Sequence, residues 1–142
     1  MSMPGNTSKT RAEIIRQFLP TSPYAGHLGI QLIDMQPDVA TLRLPFADSL
    51  ITIGTIMHGG AIASLIDTAA MVAAWSDDSV TENLRGTTVS LTVTYLAPAE
   101  HEDIQATARV LQRGRNMVFL DVEVQSISGK SIARGLVTYK LG

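Results

Sequence analysis

The chain has 142 residues, a formal net charge of −2, 45% apolar residues and no cysteine. That length predicts one domain with a sizeable core, and the apolar content excludes a disordered chain. The small charge predicts no broad attraction to nucleic acid or anionic membrane. The missing cysteines exclude disulfides, thiolate metal sites and a cysteine nucleophile, and they fit a reducing, cytoplasmic setting.

The opening residues, MSMPGNTSKT, lack the apolar core of a secretory signal. In SKTRAEIIRQFLP, Ile14, Ile15, Phe18 and Leu19 recur at helical spacing and Pro20 ends the pattern. Residues 1–20 are therefore expected to be a polar leader with a short helix, and 21–142 a single domain. GIQLIDMQPDVATLRLPF gives two extended runs around a turn at Gln36-Pro37-Asp38. ADSLITIGTI reads as a loop. MHGGAIASLIDTAAMVAAW, Met57 to Trp75, then reads as a helix that is apolar nearly all round. Its length approaches that of a membrane span, but His58, two glycines and the central Asp67 argue against one.

SDDSVTENLRG reads as a polar connection. TTVSLTVTYLAPA alternates, with Thr87, Val89, Leu91, Val93 and Tyr95 sharing one face. IQATARVLQ and MVFLDVEVQSI follow, joined through RGRN. In the second, Val118, Leu120, Val122 and Val124 face one way, and Phe119, Asp121, Glu123 and Gln125 the other. SGK makes the next turn and SIARGLVTYKL closes the chain. Two strands, one long helix and a meander of three or four strands predict an α+β fold with an antiparallel sheet wrapped around the helix. One side of the helix or sheet then needs cover from a partner chain.

Asp67 shares a helix face with Ala63, Ser64, Ala70 and Met71, whose small members leave room beside it. Two readings stay open. The carboxylate bonds a nearby N–H or arginine and organises the fold, or it lines a pocket and does acid–base or nucleophilic work. His58, Gly59 and Gly60 stand at the helix start, where N–H groups lack intrahelical partners. Such donors can polarise a carbonyl, and glycine lets a ligand approach them. They can equally serve a tight turn. For His58 the residues suggest orientation of the site, not proton transfer.

Gly59 and Asp67 are about 12 Å apart along the helix axis, too far for one helix to serve both ends of a small reacting group. Two antiparallel helices across a two-fold axis bring each Gly59 to the partner's Asp67, so a homodimer is expected. No HExxH, Rossmann glycine pattern, P-loop or GxSxG occurs, and HED at His101 lacks a second histidine at zinc spacing.

HGG followed by SLIDTA resembles the signature of hot-dog-fold acyl-CoA thioesterases of the phenylacetic-acid-degradation (PaaI-like) family. LGIQLIDM, VSLTVTYLAPA and ARVLQRGRNMVFLDVEV extend the resemblance from about Leu28 to the C-terminus. It implies hydrolysis of an acyl- or aryl-CoA thioester to a carboxylic acid and CoA. Asp67 would be nucleophile or general base, the Gly59 N–H would polarise the thioester carbonyl across the dimer interface, and Gly60 would sit against the substrate. His58 would organise the site, and the Thr88 hydroxyl would help place water or carboxylate. The QRGRN turn would meet the CoA arm, with Arg113 and Arg115 at its phosphates and Asn116 at its pantetheine amides.

The family implies a dimer at minimum, often a dimer of dimers, with neither metal nor redox cofactor, since CoA enters as part of the substrate. Thr52 departs from the family pattern. Many members have asparagine there, and a threonine is shorter and offers one donor where an amide offers two. The apolar SLITIGTIM stretch is expected to line an acyl pocket or pack at a subunit interface. The alternatives are a non-catalytic acyl-CoA-binding protein and a hot-dog acyl-CoA dehydratase or hydratase. The latter usually pairs a histidine with a carboxylate.

Overall fold

The computed structural model describes residues 9–142, so most of the polar leader lies outside the described residues. In chain order the elements are β1 (Lys9–Thr10), α1 (Arg11–Phe18), α2 (Pro23–Leu28), β2 (Gln31–Gln36), β3 (Val39–Leu44), β4 (Ile51–Ile53) and β5 (Ile56–Met57). They continue with α3 (Gly59–Ala74), β6 (Val80–Thr81), β7 (Gly86–Tyr95), β8 (Ile104–Arg113), β9 (Met117–Ser126) and β10 (Ser131–Leu141).

The expected α+β architecture is what the chain forms. Six strands make one antiparallel sheet in the order β2-β3-β8-β9-β10-β7. The sheet packs on α3 through β3, β7, β8, β9 and β10. Alternation does the work in β9: Val118, Leu120, Val122 and Val124 are buried against the helix, and Phe119 faces outward. In α3, Leu65, Ile66, Ala69, Ala70, Val72 and Ala73 are fully buried. At 16 residues the helix is too short to cross a membrane, and no helix among the described residues is long and apolar enough.

The short helix placed with the leader packs into the same core through Ile15, as does Leu19 in the turn just after it. Its start is a capping box in which Thr10 and Glu13 bond reciprocally. The loop expected over ADSLITIGTI contains a small hairpin, β4–β5, turned at Gly54 with φ 58°. In the polar connection, β6 pairs with β1.

Two expectations need correction. The expected meander of three or four strands holds for three, β8-β9-β10, and does not extend to β7, which pairs with β10 and leaves β8 next to β3. The Leu96–Asp103 connection is too long for a tight hairpin and carries the chain to the far side of the sheet. The strict alternation read over β7 also breaks. Thr138 faces Ser90 but Tyr139 faces Thr88, so Val89 is an unpaired bulge residue. The bulge re-phases the strand. Thr88 joins Leu91, Val93 and Tyr95 on the helix side, and Thr87 pairs with Lys140 on the outer side.

Candidate functional site

The site grows from the two ends of α3's exposed flank. His58 caps the helix: its backbone is extended (φ −60°, ψ 134°) and its Nδ1 accepts the Gly60 N–H at 2.7 Å. Because Nδ1 is the acceptor, the ring proton sits on Nε2. A side chain at position 60 would place its Cβ 2.9 Å from that Nδ1, so the cap requires glycine. The His58 carbonyl takes the Ala61 and Ile62 N–H groups. The Gly59 N–H finds no acceptor among the described residues and remains a free donor with the helix dipole behind it.

Tyr95, at the end of β7, closes over this turn. Its hydroxyl donates to the Gly59 carbonyl at 2.6 Å, and its ring would lie 3.3 Å from a Cβ at position 59. Both glycines of HGG are therefore fixed by packing as well as by access. Ser64, one turn on, donates to the Gly60 carbonyl at 2.8 Å. Its single proton is thereby engaged, so Tyr24 is the donor in the 3.0 Å contact between the two hydroxyls.

Asp67 is half-buried on the next turn. The Thr88 hydroxyl donates to its Oδ1 at 2.6 Å, a charge-assisted bond made possible by the β7 bulge. Its Oδ2 has no donor among the described residues and is open to solvent. The carboxylate thus has one oxygen held and one free, as a base or nucleophile requires. Beneath it the buried Tyr139 phenol accepts the Trp75 indole N–H at 3.0 Å. Burial pushes the Tyr139 phenol above its usual value; the Trp75 bond opposes this and the Asp67 charge adds to it.

The other expected residues fall apart from this pair. Thr52 lies exposed on β4 with no side-chain hydrogen bond among the described residues. Arg115 and Asn116 lie exposed in the β8–β9 turn, where the Asn116 carbonyl accepts the Leu141 N–H at 2.7 Å. Arg113, expected at the CoA phosphates, is engaged inside the chain. It donates to the Ala74 carbonyl at 2.9 Å and to Asp38 at 2.9 Å, and lies 3.4 Å from Asp77. It closes the C-terminal end of α3, where a cation is favoured.

Among the described residues no three histidines or carboxylates are grouped to hold a metal ion. Two surface cavities of about 150 and 440 Å³ lie elsewhere, the first on the outer sheet face around Glu123 and the second between α1 and the β2–β3 turn. Reading the sequence missed Tyr95's bond to Gly59 and the Trp75–Tyr139 pair. The alternation did place Tyr95 on one face with Leu91 and Val93, but a bond across 64 positions leaves no local pattern.

Residues 54–133, more than half of the chain, match the sequence model of the Thioesterase superfamily. Human acyl-coenzyme A thioesterase 13 is 29% identical over 141 residues, covering 96% of this chain and 99% of that one. The structure of a thioesterase family protein from Silicibacter pomeroyi matches with a TM-score of 0.85 at 25% identity, over 93% of this chain and 99% of that one. The E. coli PaaI protein matches with a TM-score of 0.81 over 93% and 94% of the two chains; at 22% identity this shows the common fold. The chain belongs to the thioesterase superfamily and has its hot-dog fold.

Proposed function

We propose that this protein hydrolyses acyl- or aryl-CoA thioesters to a carboxylic acid and CoA. The observation that carries the reading is the half-buried Asp67, held at 2.6 Å by Thr88 with its second oxygen free, on the same helix whose first N–H, at Gly59, is unoccupied. The acyl-CoA thioesterase among its relatives supports the reaction class.

The thioester carbonyl accepts the Gly59 N–H, which stabilises the negative charge that develops on its oxygen. Asp67 acts on the carbonyl carbon in one of two ways. As general base it takes a proton from water, hydroxide adds to the carbon, and the C–S bond breaks to give the acid and CoA thiolate, which takes up a proton. As nucleophile it adds directly, expels the thiolate and leaves a mixed anhydride that water cleaves. Neither route needs a metal or redox cofactor.

The two groups are about 12 Å apart on one helix, so each site combines Gly59 of one protomer with the carboxylate of a second copy. Tetramer formation, the CoA arm at Arg115 and Asn116, and a position for Thr52 beside the substrate complete the reading. Within it, Arg113 holds the turn that presents Arg115.

The test is thiol release from a panel of acyl- and aryl-CoAs by wild type and Asp67→Ala. Wild type should turn over, and the folded, dimeric variant should lose at least about 10²-fold in kcat. An inert wild type that still binds CoA esters would replace the enzyme with a binding protein.

A further inference from the structure

We infer that the buried Trp75–Tyr139 pair is a positioning device, holding the β7 bulge in the phase that brings the Thr88 hydroxyl onto Asp67. The inference rests on the reading of Asp67 and Thr88 as a reacting pair.

A regular β7 would turn Thr88 to the outer face, since a one-residue slip reverses every side chain of a strand. What fixes the phase is Tyr139. It sits opposite Thr88 in the β7–β10 ladder, at the point where Val89 is skipped. Its phenol passes beneath Gly86, where a Cβ would collide with the phenol oxygen and lie 2.9 Å from the Trp75 indole nitrogen. The Trp75 N–H then bonds that oxygen at 3.0 Å. Tyr139 is thus tied to the strand that carries Thr88 by the ladder. It is tied to the helix that carries Asp67 by Trp75, the residue that closes α3.

The pair touches no reacting atom; it acts through Thr88. Without the phenol oxygen the helix end and the strand lose their polar tie, and the bulge is free to shift. The Thr88–Asp67 bond depends on that phase, because one hydroxyl on a short side chain reaches 2.6 Å only from the helix side.

The test is a double-mutant cycle of Tyr139→Phe and Thr88→Val, read as kcat and KM for thiol release with denaturation curves on all four proteins. Tyr139→Phe should lower kcat on the order of tenfold or more, with KM within about twofold, as misplacement of a catalytic group does. In the Thr88→Val background the same change should cost less than about twofold, because its route of action is already gone. Equal losses in both backgrounds, or a rise in KM at constant kcat, overturn the positioning role and leave the proposed reaction standing. Full activity of Thr88→Val overturns the positioning role together with Thr88's part in the site, and likewise leaves the proposed reaction standing; its loss is shown only by a wild type inert on every thioester of the panel. Should Tyr139→Phe fail to fold, Trp75→Phe, which keeps the phenol, goes through the same cycle with the same outcomes.

Discussion

Arg113 and Arg115 stand two positions apart in sequence and in opposite surroundings. Arg113 is four-fifths covered and bonds Asp38, the Ala73 and Ala74 carbonyls and, at 3.4 Å, Asp77. Arg115 is exposed. Arg115→Ala should therefore raise KM for acyl-CoA while leaving a short acyl-pantetheine thioester unaffected; equal effects on both would remove the arginine from the CoA arm. Arg113→Ala should instead lower stability by about 1–3 kcal/mol, because it strips buried acceptors of their donor. Asp77 would keep Arg11 at 3.1 Å and the Ser79 hydroxyl at 3.2 Å, both on Oδ2, and its Oδ1 already lacks a partner. Chemical denaturation reads the difference. Tyr139 gives a pH signature at the same scale. Its folded value is raised by burial, so its contribution to stability is complete below about pH 10 and is lost as pH rises through the raised value. The stability gap between wild type and Tyr139→Phe should stay constant up to about pH 10 and narrow above it. Asp67 was legible in the sequence because a carboxylate in an apolar helix calls for a partner. Tyr139 was not, because its own segment reads as an ordinary strand.

At the scale of elements, the distance between α3 and the sheet decides whether Asp67 can meet Thr88. The approach is close where β10 passes Ile66: a Cβ on Gly135 would stand 2.6 Å from the Ile66 Cγ2. Gly135→Ala must push the helix or force Ile66 out of its rotamer, an overpacking that costs about 1–3 kcal/mol. Ile66→Leu removes that methyl branch at nearly constant volume. The double variant should recover most of the stability that Gly135→Ala loses, and a denaturation series on the three proteins checks it. No recovery would place the strain elsewhere. The helix itself was readable from its unbroken apolar run and the glycines before it. The strands were readable from alternation, except where the bulge at Val89 changed phase. The neighbour of β7 was not readable, since pairing with β10 is a choice made across some forty residues by packing on α3.

For the whole molecule, the sheet has a long unpaired edge. β7 runs for ten residues and, among the described residues, pairs with no strand but β10, so its other side presents backbone donors and acceptors unpaired by them. Val89, Leu91 and Tyr95 are exposed along it, with Leu96 just beyond. A monomer would leave this edge open to aggregation; a second copy, laid antiparallel on β7 about a two-fold axis, pairs it and covers the apolar side chains. In the proposed dimer the same operation sets two α3 helices side by side in opposite directions, the arrangement that would carry Gly59 toward the partner's carboxylate, and that proposal makes oligomerisation and catalysis one property. Leu91→Lys puts like charges near the axis, where each meets its own copy and repels it. It should shift the protein to monomer in sedimentation velocity and abolish thiol release together, while circular dichroism shows an intact fold. Activity should return with protein concentration as the dimer re-forms. A fully active monomer would break the link between the edge strand and the site, and would require Gly59 and Asp67 of a single helix to act on separate substrate groups.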